Sequence, residues 1–341
     1  MNKLQILDCT LRDGGYVNDW NFGIDSINSI ISSISKSGVD LIEVGFFRDE
    51  TYRQDRSIFN NTNQVYDLCN KYKVENLLYA GLIEMANPFP IEKVDNFKFG
   101  APHAIRYSFW KRLIDDAYDY CASIKEKGYK LCCQPTRVEQ YSYSEFADMC
   151  KNFSKLKPYA VYIVDTFGLL EKEKLLEYAK IANDSLDDNI ILGYHAHNNM
   201  NQAFENACAF IKEDYYGRVI QIDATVGGIG RGAGNLKLES ILSYLNTEYN
   251  MNYNIKPVVD LLNNTILPIK KSFPWGYDEI FHIVAENSCN PNYAIYFKEK
   301  GMLPSQVSSV ISHIQGSDKY LYDDKKAEKF SEIGDYLNEH K

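Results

Sequence analysis

The feature that most constrains this chain is a repeated alternation between short apolar runs and segments whose apolar residues recur at helical spacing. Eight β-prone runs occupy residues 4–7, 41–46, 77–83, 104–107, 129–133, 160–164, 190–192 and 219–222. Helical spacing predicts helices over residues 24–34, 110–125, 144–154, 171–182, 202–212 and 236–245, whereas the connections 51–71 and 85–100 have weaker periodicity. Strands that alternate with helices form a parallel sheet, and eight such units predict an α/β fold of the closed (β/α)8, or TIM-barrel, type.

An open, doubly wound sheet is the main alternative fold. Such a sheet normally carries a phosphate-binding glycine fingerprint after its first strand, and Gly14-Gly15 does not match it. The glycine-rich stretch 227–234 follows the last predicted strand, where barrel loops commonly bind phosphate or carboxylate groups. Beyond residue 246 the composition shifts to Asn, Tyr, Lys and Pro with helical patterning. We therefore predict a barrel domain over residues 1–246 and a C-terminal helical extension over residues 247–341.

Composition narrows the class of protein further. Apolar residues at 45% and charged residues at 24% are ordinary for a globular protein. A net charge of -9 without a basic run argues against nucleic acid or an anionic membrane as the partner. The N-terminus lacks a signal pattern and no run is long enough to span a membrane, so we expect a cytoplasmic location. The eight cysteines form no Cys-x-x-Cys pair and fall in apolar segments, which predicts buried, reduced thiols.

Two histidines mark the end of the seventh predicted strand. Residues two apart in a strand project to the same face, so His195 and His197 can grip one metal ion. Barrel active sites lie at the carboxyl ends of the strands, and Asp13 follows the first strand. Together these three side chains predict a mixed oxygen and nitrogen site suited to Mn²⁺, Co²⁺, Fe²⁺ or Zn²⁺, with Mg²⁺ as a further option. Arg12 would then be a fixed cation that faces the same substrate oxygen and matches the charge of an enolate.

Other readings of these residues stay open. The histidines could be surface residues of a loop, and Arg12 could form a salt bridge at the barrel rim. Metal-dependent hydrolases also use His-x-His, but barrel amidohydrolases place it at the first strand. Non-haem iron oxygenases use two histidines and a carboxylate, usually on a β-sandwich. A catalytically silent binding module is the remaining alternative.

Five motifs in this order resemble those of the DRE-TIM metallolyases. This family includes 4-hydroxy-2-oxoacid aldolases, 3-hydroxy-3-methylglutaryl-CoA lyase, and isopropylmalate and homocitrate synthases. The motifs are DCTLRDG at 8–14, IEVG at 42–45, DTFG at 165–168, HAHNN at 195–199, and GAGN at 232–235 with Glu239. The resemblance covers roughly residues 1–245 and is closest to the 4-hydroxy-2-oxovalerate aldolase branch. It implies a divalent metal, with Mn²⁺ ahead of Mg²⁺, Co²⁺ and Zn²⁺, on Asp13, His195, His197 and a fourth ligand, Asn235.

The resemblance also implies an activity. The metal and Arg12 would bind the two oxygens of a 2-oxoacid and stabilise its enolate, as in an aldolase that joins pyruvate to an aldehyde or cleaves the 4-hydroxy-2-oxoacid. Tyr16 stands where the aldolase branch has its histidine base, so a tyrosine or a water that it positions would move the proton. Glu43, in the second strand, is the third predicted catalytic residue.

Further expectations concern substrate contacts, partners and a rival reaction. Thr166, Gly230 and Tyr293 are the predicted substrate contacts besides Arg12, with Tyr293 or His282 reaching in from a C-terminal lid around residues 289–294. The resemblance implies a homodimer and a partner dehydrogenase. The rival is a Claisen-type condensation of acetyl-CoA with a 2-oxoacid. The acyl-CoA lyase branch is disfavoured because residues 226–235 contain no cysteine.

Overall fold

A computed structural model describes residues 3–98 and 100–339 of the chain, and its centre is a closed parallel barrel. The strands are β1 (Lys3–Asp8), β2 (Leu41–Phe47), β3 (Ile58–Phe59), β4 (Leu78–Glu84), β5 (Ala104–Phe109), β6 (Lys130–Pro135), β7 (Ala160–Asp165), β8 (Ile191–Ala196) and β9 (Val219–Ala224). All pairings are parallel, and β1 pairs with both β2 and β9, so every strand except the two-residue β3 belongs to the ring. The predicted (β/α)8 barrel is confirmed.

Helices cover the outside of the barrel. They are α1 (Ile24–Ile34), α2 (Thr62–Cys69), α3 (Ile114–Glu126), α4 (Tyr143–Ser154), α5 (Lys172–Ser185), α6 (Ala203–Lys212) and α7 (Leu238–Tyr249). The apolar stripe of α1 shows why they pack there, because Ile27, Ile30, Ile31 and Ile34 recur at helical spacing and are all buried. Between β4 and β5 the described residues form only a 3-10 turn, Ile91–Lys93, in the connection whose periodicity was weak.

The C-terminal part of the chain is helical. It contains α8 (Lys256–Leu261), α9 (Leu267–Ser272), α10 (Glu279–Glu286), α11 (Pro291–Glu299), α12 (Pro304–Ile311) and α13 (Asp324–Glu339). Val258 and Leu261 of α8 join the main hydrophobic core, whereas Tyr293 and Phe297 of α11 belong to a second cluster. The exact division into residues 1–246 and 247–341 stays a prediction. None of the helices within the described residues is both long and apolar enough to cross a membrane.

The carboxyl ends of the barrel strands open into one cavity of about 940 Å³. Side chains from the strand ends line its floor and walls, and Asn290, Asn292 and Tyr320 of the C-terminal part also line it. The predicted C-terminal cover therefore lies at the barrel mouth. Barrel enzymes carry their active sites at this face, which makes the cavity the place to look for chemistry.

Candidate metal centre

The structure brings Asp13, His195 and His197 together on the cavity floor. Their candidate ligand atoms all lie within 4.8 Å of one another. The Nε2 atom of His195 is 3.2 Å from Asp13 Oδ2, and the Nε2 atom of His197 is 3.7 Å from Asp13 Oδ1. Both imidazoles therefore point the same nitrogen at one carboxylate, as the spacing of the histidines along β8 predicts.

Asn235 completes this cluster from the loop after β9. Its Nδ2 group donates to Asp13 Oδ1 at 3.1 Å and to the Ile229 carbonyl at 3.0 Å, while its Oδ1 atom is buried without a hydrogen-bond partner in the described structure. Buried amide oxygens are rarely left unpaired. The Asn235 atom that faces Asp13 is the Nδ2 donor, so the amide would have to turn for Oδ1 to bind a cation beside Asp13. Asp13, His195 and His197 by themselves form a donor set that fits a divalent metal. Gly230 packs against Asn235 so closely that a Cβ there would lie 2.2 Å from Nδ2.

The other ring nitrogen of each histidine is held by the protein. His195 Nδ1 lies 2.9 Å from Asp223 Oδ2, and His197 Nδ1 lies 3.0 Å from the backbone carbonyl of Asp165. Nδ1 is the donor toward that carbonyl, which leaves the Nε2 lone pair of His197 free to bind a metal. Outer hydrogen bonds of this kind orient histidine ligands in metal sites.

The protonation of Asp13 and of His197 suits a metal, because metal ligands must be deprotonated. Burial opposes ionisation of Asp13, but the Arg12 guanidinium and the two imidazoles hold the pKa of this carboxyl well below its usual range. Burial lowers the pKa of His197, which keeps that imidazole neutral. Burial opposes the charged form of His195 too, but hydrogen bonds to Asp13 and Asp223 outweigh it and raise the pKa of His195.

A second group of possible ligands overlaps the first. Cys9, His195 and Asp223 also lie within 4.8 Å of one another. Burial raises the pKa of the Cys9 thiol well above its usual value, and the thiol donates to the Ala224 carbonyl. Metal binding by cysteine requires the thiolate. The group around Asp13 is therefore the better metal site.

An ion-pair network lies below the metal cluster. Arg12 donates from Nε to Glu43 at 2.7 Å and from Nη1 to Asp13, while Arg106 pairs with Glu43 at 2.7 Å and with Asp223. Glu43 is fully buried and does not line the cavity. Glu43 therefore contacts two arginines rather than the cavity, and its predicted catalytic role stays a prediction. Sequence reasoning missed Arg106 and Asp223, although an arginine inside the apolar run 104–107 was a signal.

Tyr16 lines the cavity beside an acidic partner. Its hydroxyl donates to Glu84 Oε2 at 3.2 Å, and Arg48 Nη2 donates to Glu84 Oε1 at 2.6 Å. Burial raises the pKa of the Tyr16 phenol above its usual value, so the group stays protonated at neutral pH. Sequence reasoning missed Glu84, which closes strand β4 and also lines the cavity.

The predicted substrate contacts fall into two groups. Arg12 and Thr166 line the cavity, and Gly230 lies at the metal cluster. Tyr293 does not line the cavity, because it is fully buried in the second hydrophobic cluster and its hydroxyl donates to the Asp318 carbonyl at 2.9 Å. The structure contradicts a substrate contact by Tyr293 and places the neighbouring Asn292 there instead.

Comparisons with known proteins find a matching family model and several relatives. The family model described as HMGL-like matches residues 3–264. The 4-hydroxy-2-oxovalerate aldolase of Bacillus cereus is 24% identical over 293 residues, which cover 82% of each protein. The oxaloacetate decarboxylase of Mycobacterium tuberculosis is 22% identical over 242 residues, 70% of this chain and 69% of that protein.

A solved structure shares the fold. The N-terminal domain of a Bacteroides vulgatus protein described as an aldolase superposes with a TM-score of 0.72 at 24% identity, over 86% of this chain and 96% of that one.

The family model spans well over half of the chain, so the protein is a metal-dependent carbon–carbon lyase. The predicted resemblance is thereby confirmed, and the chain belongs to the HMGL-like family.

Proposed function

We propose that this protein is a divalent-metal-dependent aldolase that cleaves or forms a 4-hydroxy-2-oxoacid, with the pyruvate enolate and an aldehyde as the two components. The observation that carries the proposal is the convergence of Asp13, His195 and His197 beside Arg12, with the Asn235 amide next to Asp13. The 4-hydroxy-2-oxovalerate aldolases among the relatives support the same reaction class.

Four side chains would hold the metal. Asp13 and Asn235 offer oxygens, and His195 and His197 offer Nε2 nitrogens. A bound divalent cation supplies Lewis-acid stabilisation for the oxygens of a 2-oxoacid. We propose Mn²⁺, because this mixed set of carboxylate, amide and imidazole ligands suits it, and Mg²⁺, Co²⁺ and Zn²⁺ are the alternatives to test.

Arg12 would stabilise the enolate. Two of its nitrogens are held by Glu43 and Asp13, and Nη2 makes no hydrogen bond to any residue in the described part of the chain. The guanidinium is thus fixed in place with one nitrogen left for substrate. A cation fixed before the reaction stabilises developing negative charge without the cost of reorganising.

Tyr16 and Glu84 would move the proton. In cleavage, the 4-hydroxyl of the substrate gives its proton to the Tyr16 oxygen as the phenolic proton passes to Glu84. The C3–C4 bonding electrons then form the enolate, and the aldehyde leaves. The proton returns through Tyr16 to C3 of the enolate, which yields pyruvate and restores both side chains. The hydrogen bond of 3.2 Å between Tyr16 and Glu84 provides the path.

The test measures the enolate and the cleavage separately. Purified protein with Mn²⁺ should exchange the methyl protons of pyruvate in deuterated water and release pyruvate from 4-hydroxy-2-oxoacids. The absence of both activities in a folded, Mn²⁺-bound protein would contradict the proposal. Free CoA release from acetyl-CoA plus a 2-oxoacid would favour the Claisen-type rival instead.

One further outcome would redirect the proposal. Pyruvate release from oxaloacetate, with no release from 4-hydroxy-2-oxoacids, would indicate a decarboxylase like the Mycobacterium tuberculosis relative. The Asp13→Asn variant is the matched negative control in each assay. It keeps the shape of the side chain and removes the negative charge of a proposed metal ligand. The homodimer and the partner dehydrogenase stay predictions.

A further inference from the structure

The cavity is positively charged although the chain is acidic. The whole sequence has 37 Lys and Arg residues against 46 Asp and Glu residues. The cavity reverses this balance, with five basic side chains and two carboxylates: Arg12, Lys111, Arg112, Arg137 and Arg231 against Asp13 and Glu84. Both carboxylates are already paired with arginines, Asp13 with Arg12 and Glu84 with Arg48. Three of the five cations are themselves paired, Arg12 with Glu43, Lys111 with Glu145 and Arg137 with Glu139, which leaves Arg112 and Arg231 without a carboxylate partner among the described residues.

Three of these cations lie across the barrel mouth from the metal cluster. The metal ligands follow β1, β8 and β9, whereas Lys111 and Arg112 follow β5 and Arg137 follows β6. In the ring order β1, β2, β4, β5, β6, β7, β8, β9, strand β5 stands opposite β9 and β6 stands opposite β1. A ligand that reaches both groups must span the cavity.

Arg137 is held as a rigid binding group. Its guanidinium lies between two rings, 4.5 Å from the centroid of Phe167 and 4.1 Å from that of Tyr320. Glu139 accepts from its Nε at 3.1 Å, and its backbone N–H donates to Thr166 Oγ1 at 2.8 Å. Its φ of 58° lies in the left-handed region, which non-glycine residues adopt at a cost. With the Gln140 amide oriented to accept, its oxygen lies 2.8 Å from both Nη1 and Nη2, so an anion bound by this buried guanidinium would share these nitrogens with Gln140.

The neighbouring cations add charge at the rim. Arg112 is exposed, stacks 4.6 Å from the Trp110 ring and has no carboxylate partner within the part of the chain that the structure describes. Lys111 donates to Glu145 at 2.6 Å. Pyruvate brings only one carboxylate, and Arg12 and Arg231 on the metal side can serve it. The cations on the far side then have no role in binding pyruvate.

We propose that the aldehyde component carries an anionic group, a carboxylate or a phosphate, at the end remote from its carbonyl, and that Arg137 and Arg112 bind this group. This inference rests on the proposed aldolase function. The size of the cavity agrees with it, because about 940 Å³ lies near the top of the range of small-molecule sites and far exceeds the needs of pyruvate with a two-carbon aldehyde. The charged end would also select against neutral aldehydes of equal length.

The test uses matched pairs of aldehydes with pyruvate and Mn²⁺. Succinic semialdehyde is compared with butanal, and glyceraldehyde 3-phosphate with glyceraldehyde. We expect kcat/KM to be about tenfold or more higher for one anionic member, because only that member can form a charge-assisted hydrogen bond with the arginines. The pair that shows the preference tells carboxylate from phosphate. Arg137→Gln should remove most of the preference, and Arg137→Lys should keep part of it.

A second set of measurements does not depend on turnover. Succinate and glycerol 3-phosphate are titrated separately into the metal-free protein. At least one of the two should bind about tenfold more weakly to Arg137→Gln than to the wild type. Arg112→Gln, at an exposed site, gives a second variant if Arg137→Gln does not fold. Arg53→Gln is the control, because this exposed arginine does not line the cavity and should keep the preference.

The outcomes separate this inference from the proposed function. Equal kcat/KM within both pairs, in a protein that exchanges pyruvate protons, would overturn the anionic subsite and leave the aldolase proposal intact. A lack of proton exchange would contradict the aldolase proposal and this inference with it. An anion preference that survives both Arg137→Gln and Arg112→Gln would show that these arginines do not bind the anionic group.

Discussion

The two sides of the barrel mouth hold their cations in different ways. On the metal side, Arg12 is buried and tied to Glu43 and Asp13, and Arg106 in the barrel interior is tied to Glu43 and Asp223. On the far side, Arg112 and Arg137 rest against aromatic rings, and Arg137 has one carboxylate partner, Glu139, whereas Arg112 has none among the described residues. Under the proposed function, the metal side would be a rigid centre for enolate chemistry, and the far side would be the surface that selects the second substrate.

The rigidity of the metal side has a physical cost. Breaking a buried ion pair by removing one partner typically destabilises a protein by about 3–5 kcal/mol. Glu43 shares one carboxylate between Arg12 and Arg106, and Asp223 shares another between Arg106 and His195. Each group therefore fixes its neighbour before substrate arrives. Preorganised charge of this kind is the main means by which enzymes stabilise an enolate.

The largest effect is expected at the metal ligands. Asp13→Asn removes the only charged ligand and should lower pyruvate proton exchange by about 10³-fold or more, together with Mn²⁺ binding. Elemental analysis after desalting and proton exchange in deuterated water measure the two effects. Asp55→Asn changes an exposed carboxylate outside the cavity and is the control. Full Mn²⁺ content and activity in Asp13→Asn would show that Asp13 is not a ligand of the metal.

Removal of the guanidinium is next in size. Arg12→Ala should slow enolate formation by about 10²–10³-fold while Mn²⁺ still binds, because the charge stabilises the reacting oxygen rather than the metal. Arg12→Lys should recover a part, since it keeps the charge and loses the fork that holds Glu43 and Asp13. Thermal unfolding checks that each variant folds. Wild-type activity in Arg12→Ala would contradict the proposed role of Arg12 in stabilising the enolate.

The proton path gives a third prediction. Tyr16→Phe and Glu84→Gln should each lower kcat for cleavage by about 10²-fold, with Mn²⁺ content unchanged. Because the two groups act as a unit, the double variant should be no slower than the more affected single variant. Additive losses in the double variant would show that the two side chains act separately.

A smaller effect is expected one layer below the metal. Asp223→Asn keeps the shape of the side chain but weakens its hold on His195 and leaves Arg106 with one carboxylate fewer. Mn²⁺ affinity should fall by about 10–100-fold, as for other outer partners of histidine ligands, and added Mn²⁺ should restore most of the activity. An activity loss that saturating Mn²⁺ cannot restore would argue against a positioning role.

Substitution of Asp8 should have the smallest effect on catalysis. Its effect should instead be on the free energy of unfolding. Burial raises the pKa of Asp8 to about 7 from its ordinary 3.8, against the hydrogen bonds from Thr10. The folded protein keeps this proton up to about pH 7 and the unfolded chain releases it near pH 3.8, so the free energy of unfolding falls as the pH rises between them.

Substitution at this position makes the pH effect measurable. Asp8→Asn should be more stable than the wild type at pH 8 by about 2–4 kcal/mol and nearly equal to it at pH 4. Urea unfolding at the two pH values measures this difference. Asp25→Asn, at an exposed position, is the control. Parallel stability curves for Asp8→Asn and the wild type would contradict the raised pKa.

The metal side was the more predictable of the two sides. The alternation of side chains along a strand places His195 and His197 on one face, and barrel topology brings Asp13, after the first strand, to the same end of the barrel. These sequence patterns are therefore enough to predict the three candidate ligands. The partnership of Arg106 with Asp223 joins β5 to β9 across the barrel interior. It depends on how the ring closes, which no local pattern shows.

The C-terminal cover of the cavity was only partly predictable for a related reason. The segment around residues 289–294 was expected at the barrel mouth, and Asn290 and Asn292 do line the cavity. Tyr293 and Phe297 lie four residues apart on α11, so they share a face that packs into the second cluster. Asn292 lies about 100° around the helix from Tyr293 and meets the cavity. The helix boundary had to be known before the correct side chain could be chosen.

The most direct test of the central claim is a crystal structure of the protein soaked with Mn²⁺ and pyruvate, with anomalous differences measured for manganese. The account predicts one peak within about 2.0–2.4 Å of Asp13, His195, His197 and Asn235, with pyruvate beside Arg12. No peak, or a peak held instead by Cys9 and Asp223, would contradict it.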